Sequence, residues 1–438
     1  MRVLIFAYDF PPVLAAQSLR WAYLCRELAF RGVEVDVLAP RIRDIWGFRP
    51  IMGELVRIHR CFPGPFVAFS GWLGGRLSLD KAVLQEDRCR LNLERPMIAA
   101  DALPLRLYRG IRNLLDQILF PDLRTEWLPF AWRRAKALYR RYHYDLVISS
   151  HEPGVDLLLG LLARRAWGIP WIADLADPLL APYTPRWRTP LDRALEARTC
   201  RSANGVMVTT ESAGSQLARR HGVPNDRFLL VRQGFDAPGT GEISKYPPPW
   251  PMDRFTLLFT GTFYRGFREP SPLIDALTQV EGVQVVIIGD LGGYATDFAP
   301  LGERVILLGK LSHEYCLAWQ RSANVLLNLG NRQNDQVPGK IYEYLGAARP
   351  ILHIASSPSD PVPAFLAQIR RGRSTAAEPM LIAQAINEMN ASWRSGQLDC
   401  SFDLSMDKVM EYTWSAQAAR LHQLMLDLLD TEPKAIKP

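Results

Sequence analysis

A cation and a carboxylate stand at helical spacing in residues 337–351, VPGKIYEYLGAARPI. Pro338 can begin a helix, because its fixed φ suits the first turn and its missing N–H would be unpaired there in any case. Lys340 and Glu343 are three residues apart, so both project from one face of that turn. Free N–H groups, a cation and a carboxylate together suit the diphosphate and the ribose of a nucleotide. The alternative is a surface helix with an ordinary Lys/Glu pair.

Length and composition indicate a globular protein of two domains. A chain of 438 residues is too long for one ordinary hydrophobic core. Its 48% hydrophobic and 22% charged residues are typical of soluble proteins. The apolar run at residues 157–163 is much shorter than a membrane span, and residues 1–9 resemble a buried strand more than a signal peptide.

The cysteines indicate the cellular compartment of the protein, and its net charge indicates the class of its partners. The six cysteines are scattered without a C-x-x-C pair, so we expect reduced thiols in a cytoplasmic protein. The net charge of +7 favours an anionic partner. Charge alone is compatible with a nucleotide, an anionic lipid surface or a nucleic acid.

Hydrophobic patterning predicts two successive α/β series. The first has strands at residues 3–8, 33–38, 145–149, 171–174, 205–209 and 228–232, with helices at 18–30, 155–167 and 212–221. The second has strands at residues 255–259, 283–288, 305–308, 325–329 and 351–354, and a last helix at 414–429. Strands that alternate with helices predict parallel sheets.

The domain boundary is predicted where proline and glycine accumulate, at residues 236–252, because such a segment forms a stiff connector. The predicted parts are an N-terminal Rossmann-like domain at 1–237 with an irregular insert at about 41–103, a linker at 238–252, a C-terminal Rossmann-like domain at 253–412, and a C-terminal helix and tail at 413–438.

A basic, aromatic segment occupies residues 105–144 of the first domain. Helices that combine arginine with tryptophan and tyrosine are typical of proteins that lie on an anionic membrane surface. The alternative is a solvated helix face whose apolar side lies in the core.

Two α/β domains, a Pro-rich connector and the Lys340/Glu343 helix together resemble the GT-B fold glycosyltransferases. The resemblance is to the large retaining family, the glycosyl transferases group 1 type, which includes bacterial polysaccharide and lipid-linked sugar transferases. The segments that carry it are YDFPP at 8–12 with Arg20, FPD at 120–122 with Trp127, HEP at 151–153, DLADP at 174–178, TTES at 209–212, VRQGFD at 231–236, FTGT at 259–262 with Arg265 and Arg268, and GKLSHE at 309–314. It implies two Rossmann-like domains that face each other across a cleft, and a C-terminal helix that packs back on the N-terminal domain.

The resemblance also implies roles for individual residues. Arg265 and Lys340, with Arg268 as a substitute, would stabilise the departing diphosphate, while His151 would face the donor sugar or the acceptor hydroxyl. The donor-binding residues implied are Gly261, Arg268, Asp335, Pro338, Gly339 and Glu343, and those on the acceptor side are Arg20 and Asp177. The alternatives are surface cations for the arginines and the lysine, an ordinary loop histidine, and a turn or cap role for Asp177.

The chain departs from the family pattern at several places, among them Gln233, where asparagine is common, and Leu179, where tryptophan often follows the acidic turn. Ala15 and Ala16 stand where two glycines are usual, and each adds a Cβ at which a ligand could approach the backbone. Asp335 stands where a glutamate is usual and is one methylene shorter. The departures at Ala15, Ala16 and Asp335 keep open a non-catalytic protein that binds a nucleotide sugar with the same fold.

The expected function is therefore a hexosyltransferase-type reaction from a nucleotide-diphosphate sugar, with retention, in cell-surface polysaccharide or glycolipid synthesis. The expected acceptor is a sugar or a lipid-linked sugar, and the expected place is the cytoplasm, at the inner face of the membrane, with an anionic membrane surface and no nucleic acid as partner. No D-x-D, H-x-H or cysteine ligand set is present, so no metal and no tightly bound cofactor are expected. A GT-B sugar-nucleotide epimerase is the other open alternative.

Overall fold

The computed structural model describes residues 1–13, 15–42, 54–69, 119–180, 186–237, 246–332 and 337–431. The chain divides into two compact units. The first unit comprises Met1–Val231 and Ala418–Pro438, and the second comprises Arg232–Gln417. Each unit contains one parallel sheet with helices, so the predicted α/β class is confirmed.

The sheet of the first unit has seven strands in the order β3-β2-β1-β4-β5-β6-β7. The strands are β1 Arg2–Phe6, β2 Glu34–Pro40, β3 Val56–Cys61, β4 Leu146–Ser149, β5 Trp171–Asp174, β6 Gly205–Val208 and β7 Phe228–Leu230. Every neighbouring pair is parallel. The central strands are apolar runs because the helices cover both faces of such a sheet.

Several helices accompany this sheet, and residues 65–69 are helical as well. The others are α1 Ala16–Phe30, α2 Leu128–Tyr142, α3 Val155–Trp167, α4 Thr189–Ser202 and α5 Glu211–His221, and short 3₁₀ turns lie at Leu123–Trp127 and Asn225–Arg227. Glycine ends α3, since Gly168 adopts a left-handed φ of 68°. The core between helices and sheet contains the fully buried Trp127 and Trp171.

Strand β3 corrects the expectation of an irregular insert for residues 56–61. It pairs with β2 from Val35↔Val56 to Pro40↔Cys61 and forms the edge of the sheet. Its sequence VRIHRC is polar at alternate positions, because the side chains of Arg57 and His59 bind the buried Asp36 carboxylate at 2.9 and 2.6 Å. The rest of the predicted insert from residue 70, and residues 43–53, lie outside the described residues.

The sheet of the second unit has six parallel strands in the order β10-β9-β8-β11-β12-β13. The strands are β8 Phe255–Thr262, β9 Val283–Asp290, β10 Val305–Gly309, β11 Val325–Leu329, β12 Ile351–Ala355 and β13 Gly372–Ala376. The helices are α6 Ser271–Thr278, α7 His313–Ser322, α8 Gly339–Gly346, α9 Val362–Ile369 and α10 Pro379–Arg394, and the C-terminal helix α11 Trp414–Thr431 begins in this unit. The predicted parallel sheet is confirmed, and the edge strand β13, whose sequence GRSTA carries little apolar signal, adds to it.

The described part of the predicted linker packs on the second unit. Trp250 is buried with its ring 5.4 Å from that of Trp319, whose indole N–H donates to the carbonyl oxygen of Tyr246 at 3.1 Å. Residues 238–245 lie outside the described residues.

The C-terminal helix α11 contributes its residues from Ala418 onward to the first unit. A Cβ added to Gly205, at the start of β6, would lie 3.6 Å from the side chain of Leu424 and 3.7 Å from that of Leu428. The prediction that this helix packs back on the N-terminal domain is therefore confirmed. None of the helices in the described ranges is long and apolar enough to cross a bilayer.

Candidate functional site

The start of α8 lies at the carboxyl edge of the second sheet, between the end of β11 and the start of β12. Pro338 precedes the helix with φ −56° and ψ 136°, and no side chain of the described residues caps the first turn. Gly339 allows close packing, because a Cβ there would lie 3.3 Å from the side chain of Gln233. The N–H of Ile341 donates to the carbonyl oxygen of Pro338 at 2.9 Å. The N–H groups before it, on Gly339 and Lys340, have no side-chain cap among the described residues and suit an anion.

Lys340 and Glu343 form an ion pair of 2.8 Å on this first turn, with side-chain exposures of 34% and 12%. Burial acts to raise the pKa of Glu343, but the charges of Lys340 and His313 and the hydrogen bonds it accepts outweigh burial and lower the pKa to about 2. Burial acts to lower the pKa of Lys340, and Glu343 is the main cause that raises it instead. Both groups are therefore charged at neutral pH, and Lys340 keeps two N–H donors for a ligand.

One face of α7 lies against this pair. Gln320 donates from Nε2 to Oε1 of Glu343 at 2.5 Å and to Oγ1 of Thr260 at 3.1 Å. Nδ1 of His313 is 3.9 Å from Oε2 of Glu343, and burial lowers the pKa of His313. The sequence gives one signal for this face, because His313, Cys316 and Gln320 have the i, i+3, i+7 spacing of one helix face.

Arg268 is fixed at the carboxyl end of β8. It donates from Nε to Oδ1 of Asn331 at 3.0 Å and from Nη1 to the carbonyl oxygen of Thr262 at 3.3 Å. A Cβ added to Gly261 would be 3.8 Å from Nη1 of Arg268. Burial lowers the pKa of Arg268, but a guanidinium keeps its charge in proteins. The end of β8 therefore holds a fixed cation beside Gly261, where an added Cβ would also lie 3.2 Å from the Phe259 ring.

Arg265 has a different environment from Arg268. It is exposed, and its guanidinium lies 5.5 Å from the centre of the Tyr294 ring. It also lies near Gly293, where an added Cβ would be 3.8 Å from Nη2. Its proposed contact with a diphosphate stays a prediction. Asp335 lies outside the described residues.

His151 follows strand β4 in the first unit. Its side chain is 5% exposed, and among the residues that the structure describes neither ring nitrogen has a hydrogen-bond partner. Asp122 holds the same loop, because its carboxylate accepts from the backbone N–H groups of Arg124 and Gly154, both at 2.8 Å. Both ring nitrogens are thus buried without a partner in the described part of the chain, and a contact of His151 with a sugar hydroxyl stays a prediction.

Arg20 and Asp177, the predicted acceptor-side residues, lie in different environments. Arg20 is fully buried and forms an ion pair with Asp174 at 2.9 Å. Gln17 donates to the same Asp174 carboxylate at 3.0 Å and to the hydroxyl of Ser150 at 3.1 Å. Asp177 is exposed on the turn three residues after Asp174. Arg20 therefore holds the end of β5 through Asp174 inside the first unit. A contact between an acceptor and either Arg20 or Asp177 stays a prediction.

Within the described ranges, no group of three or more His, Cys, Asp or Glu side chains could hold a metal ion. The described cysteines Cys25, Cys61, Cys200, Cys316 and Cys400 are free thiols.

The comparisons with known proteins concern both units. Residues 17–234 match the family model described as "Glycosyl transferase 4-like domain". No curated protein sequence matches the chain. Among solved structures, a sucrose-phosphate synthase from Thermosynechococcus elongatus is similar with a TM-score of 0.66 and 16% identity, over 99% of this chain and 100% of that one.

Two further structures are similar along nearly the whole chain. Anabaena HepE in complex with UDP-glucose has a TM-score of 0.62 and 13% identity, over 98% of this chain and 100% of its own. A UDP-N-acetylglucosamine 2-epimerase has a TM-score of 0.52 and 13% identity, over 100% of this chain and 99% of its own. At such identities the similarity shows a shared fold, which is the GT-B fold.

Proposed function

Since residues 17–234 belong to the glycosyl transferase 4-like domain family and the chain has the GT-B fold, we propose that this protein transfers a sugar from a nucleotide-diphosphate sugar to an acceptor hydroxyl. The observation that carries the proposal is the Lys340–Glu343 ion pair at the start of α8, where no described side chain caps the helix. It combines a cation, a carboxylate and the N–H groups of Gly339 and Lys340 on one helical turn. The UDP-glucose complex of the similar HepE structure supports a nucleotide sugar as the donor.

The donor diphosphate is the group that the second unit is suited to stabilise. Negative charge develops on the leaving diphosphate as the sugar departs, and fixed cations and helix N–H groups lower the barrier by stabilising that charge. Lys340 and Arg268 supply the cations in this proposal, with Arg265 as a further, exposed cation. Arg268 needs no reorganisation, because Asn331 and the Thr262 carbonyl already hold its guanidinium.

The ribose is bound by Glu343 in this proposal. An ionised carboxylate accepts hydrogen bonds from both ribose hydroxyls, as acidic residues do in other nucleotide sites. The low pKa of Glu343 keeps it an acceptor throughout the physiological range.

The acceptor is proposed to bind at the first unit with His151. A neutral imidazole has one N–H donor and one acceptor nitrogen, so it can orient a sugar hydroxyl. The lack of any hydrogen-bond partner for His151 among the described side chains and backbone supports this role. Asp177 would bind a second hydroxyl from its exposed turn. Retention at the anomeric carbon is part of the proposal, and the anomeric coupling constant of the product in NMR tests it.

A lipid-linked or cell-surface acceptor is the finer part of the proposal. The similar WaaG structure is a glycosyltransferase involved in lipopolysaccharide biosynthesis, with a TM-score of 0.56, 12% identity and coverage of 99% of this chain and 100% of its own. Helix α2 carries the exposed Arg133 and Arg134, which suit an anionic surface. A protein at the inner face of the membrane could reach such an acceptor without a spanning helix.

The donor is identified by thermal unfolding of the full chain with uridine, guanosine and adenosine diphosphates and their sugars. A ligand at a hundred times its dissociation constant adds about 2.7 kcal/mol to the free energy of unfolding. We expect one base to stabilise the protein, and both Lys340→Ala and Glu343→Ala to remove most of that effect. If no nucleotide stabilises the wild type, or if both variants bind as the wild type does, the proposed donor site is wrong.

A sugar-nucleotide epimerase is the second candidate, because the fold is shared with a UDP-N-acetylglucosamine 2-epimerase. Incubation of the wild type with the donor and no acceptor separates the candidates. A transferase releases at most hydrolysed sugar slowly, whereas an epimerase releases the epimer, which NMR detects. A protein that binds the donor and shows neither hydrolysis nor transfer would be a binding protein of the same fold.

A further inference from the structure

Glu343 is the end point of a chain of buried hydrogen bonds in the second unit. The hydroxyl of Tyr344 donates to the carbonyl oxygen of Leu327 at 3.1 Å and accepts from the backbone N–H of Thr260 at 3.0 Å. Oγ1 of Thr260 is 3.1 Å from the Tyr344 hydroxyl. Gln320 then joins Thr260 to Glu343 through Nε2. This series of hydrogen bonds thus connects β11, β8, α7 and α8.

The number of protons on each group determines which atom donates in every hydrogen bond of this series. Tyr344 has one hydroxyl proton, which the Leu327 carbonyl takes, so the Thr260 hydroxyl must donate to the Tyr344 oxygen. The Thr260 oxygen is then an acceptor for one N–H of Gln320. The second N–H of Gln320 goes to Oε1 of Glu343. A flipped amide is excluded, because its oxygen would face the carboxylate at 2.5 Å.

In this arrangement the two carboxylate oxygens of Glu343 have different hydrogen-bond partners. Oε1 accepts from Gln320 and from Lys340. Oε2 is 3.9 Å from Nδ1 of His313, which is beyond hydrogen-bond distance. A ligand hydroxyl therefore has Oε2 to bind.

We propose that Gln320 is a positioning residue of the donor site, which holds Glu343 so that Oε2 is presented to the ribose of the nucleotide. The inference rests on the proposed donor site and deepens it. Gln320 is fully buried. It acts through Glu343, and its second bond to Thr260 connects the carboxylate to the end of β8, which contains Gly261 and whose Thr262 carbonyl binds Arg268.

The test is the dissociation constant of uridine diphosphate, or of the diphosphate that the wild type binds most tightly, measured by calorimetry between pH 5 and pH 8. In Gln320→Glu the new carboxyl group lies so close to that of Glu343 that only one of the two can be ionised. The variant must take up a proton to restore the bond. We expect its affinity to be at least tenfold below wild type at pH 8 and to approach wild type at pH 5.

Other titratable groups lie near Glu343. They are Lys340 on the same helix, His313 and the Cys316 thiol on α7, and Tyr344. Expressing each result as the ratio of variant to wild type at the same pH cancels the titration of the nucleotide phosphate. Repeating the pH series in the background of His313→Asn removes the contribution of His313, whose titration the new carboxylate would otherwise change. Gln384→Glu is a matched control, because Gln384 donates to Glu388 at 2.8 Å on the exposed face of α10. Its ratio should be constant across this range.

Gln320→Met keeps the shape of the side chain and removes the donor, so it provides a second measurement. We expect weaker nucleotide binding at every pH and, in the transfer reaction, a higher KM for the donor with kcat close to wild type. Wild-type affinity in Gln320→Met, or a pH-independent ratio for Gln320→Glu, would overturn the role of Gln320 while the donor site stands. Absence of nucleotide binding by the wild type would instead overturn the proposed function.

Discussion

The guanidinium of Arg20 and the carboxylate of Asp174 form an ion pair of 2.9 Å in which both side chains have no exposed surface. Arg20 also donates to the carbonyl oxygen of Val231 at 2.8 Å. The pair therefore joins α1 to the end of β5 and to the residue after β7. These contacts place Arg20 inside the first unit, against the end of β5, and the exposed Asp177 lies three residues after that strand.

Arg20→Met is expected to lower the free energy of unfolding by about 3–5 kcal/mol, because it leaves the Asp174 carboxylate buried without a counter-charge. The double variant Arg20→Met with Asp174→Leu should recover much of that loss, since it removes the uncompensated charge as well. Thermal or urea unfolding of the three proteins measures both effects. A stable Arg20→Met variant with a raised acceptor KM would instead show that Arg20 binds the acceptor.

The ionisation of Glu343 predicts how stability depends on pH. Its pKa in the folded protein, about 2, lies below the ordinary value of 4.5, so the ionised form contributes stability at neutral pH. That contribution is complete above pH 4.5 and is lost as the pH falls towards 2. Glu343→Gln should therefore unfold at a lower temperature than wild type at pH 7, with a difference that shrinks below pH 4.5. A difference that is constant from pH 7 to pH 3 would contradict the ion pair.

The sequence predicts well those elements whose own residues determine them. Strands such as Phe255–Thr262 and Val325–Leu329 are apolar runs because both faces of the sheet are covered, and this signal is local. The edge strands Val56–Cys61 and Gly372–Ala376 are half-buried and polar. Pairing with a neighbouring strand determines them, and that pairing is not visible in the segment itself.

In the candidate site, too, contacts between residues close in sequence could be predicted, whereas contacts between residues far apart in sequence could not. The pairing of Lys340 with Glu343 follows from a spacing of three residues on one helix. The bond from Gln320 to Glu343 spans 23 residues and depends on the packing of α7 against α8. Which of two arginines on one loop approaches Gly261 likewise depends on the end of another strand, where Asn331 binds Arg268.

Arg268 and Arg265 are expected to differ in their effect on turnover. Arg268→Ala removes a cation that is fixed beside Gly261, and we expect a loss of about 10²–10³ in kcat, as for other groups that stabilise developing charge. Arg265→Ala removes an exposed cation on Tyr294, and we expect less than a tenfold loss. Steady-state kinetics with saturating acceptor measure both, and the reverse ranking would assign the diphosphate to Arg265.

Activity is expected to persist after removal of divalent metal ions. In the proposed mechanism, Lys340, Arg268 and the N–H groups of α8 carry the charge stabilisation that a metal supplies in other transferases. Dialysis against EDTA, followed by an assay in the continued presence of chelator, should leave at least half of the turnover. Complete loss that magnesium or manganese restores would show that a metal ion holds the diphosphate instead.

The exposed face of α2 is expected to bind an anionic membrane. Arg133 and Arg134 are exposed on this helix, and Phe130 is 39% exposed with its ring 4.9 Å from that of the half-exposed Phe62. Cations together with exposed aromatic rings suit the bilayer interface. The remainder of the predicted basic segment, residues 105–118, lies outside the described residues.

Vesicle flotation with and without anionic lipid measures this binding. Each arginine near an anionic leaflet contributes roughly 1 kcal/mol, and salt screens the attraction. Arg133→Glu with Arg134→Glu should therefore weaken binding at least tenfold at low salt. Arg193→Glu with Arg198→Glu changes the net charge by the same amount through two exposed residues of α4, and should bind nearly as wild type does. If the wild type does not float with anionic vesicles at low salt, or if both double variants lose binding equally, α2 is an ordinary solvated helix and a soluble acceptor is the better proposal.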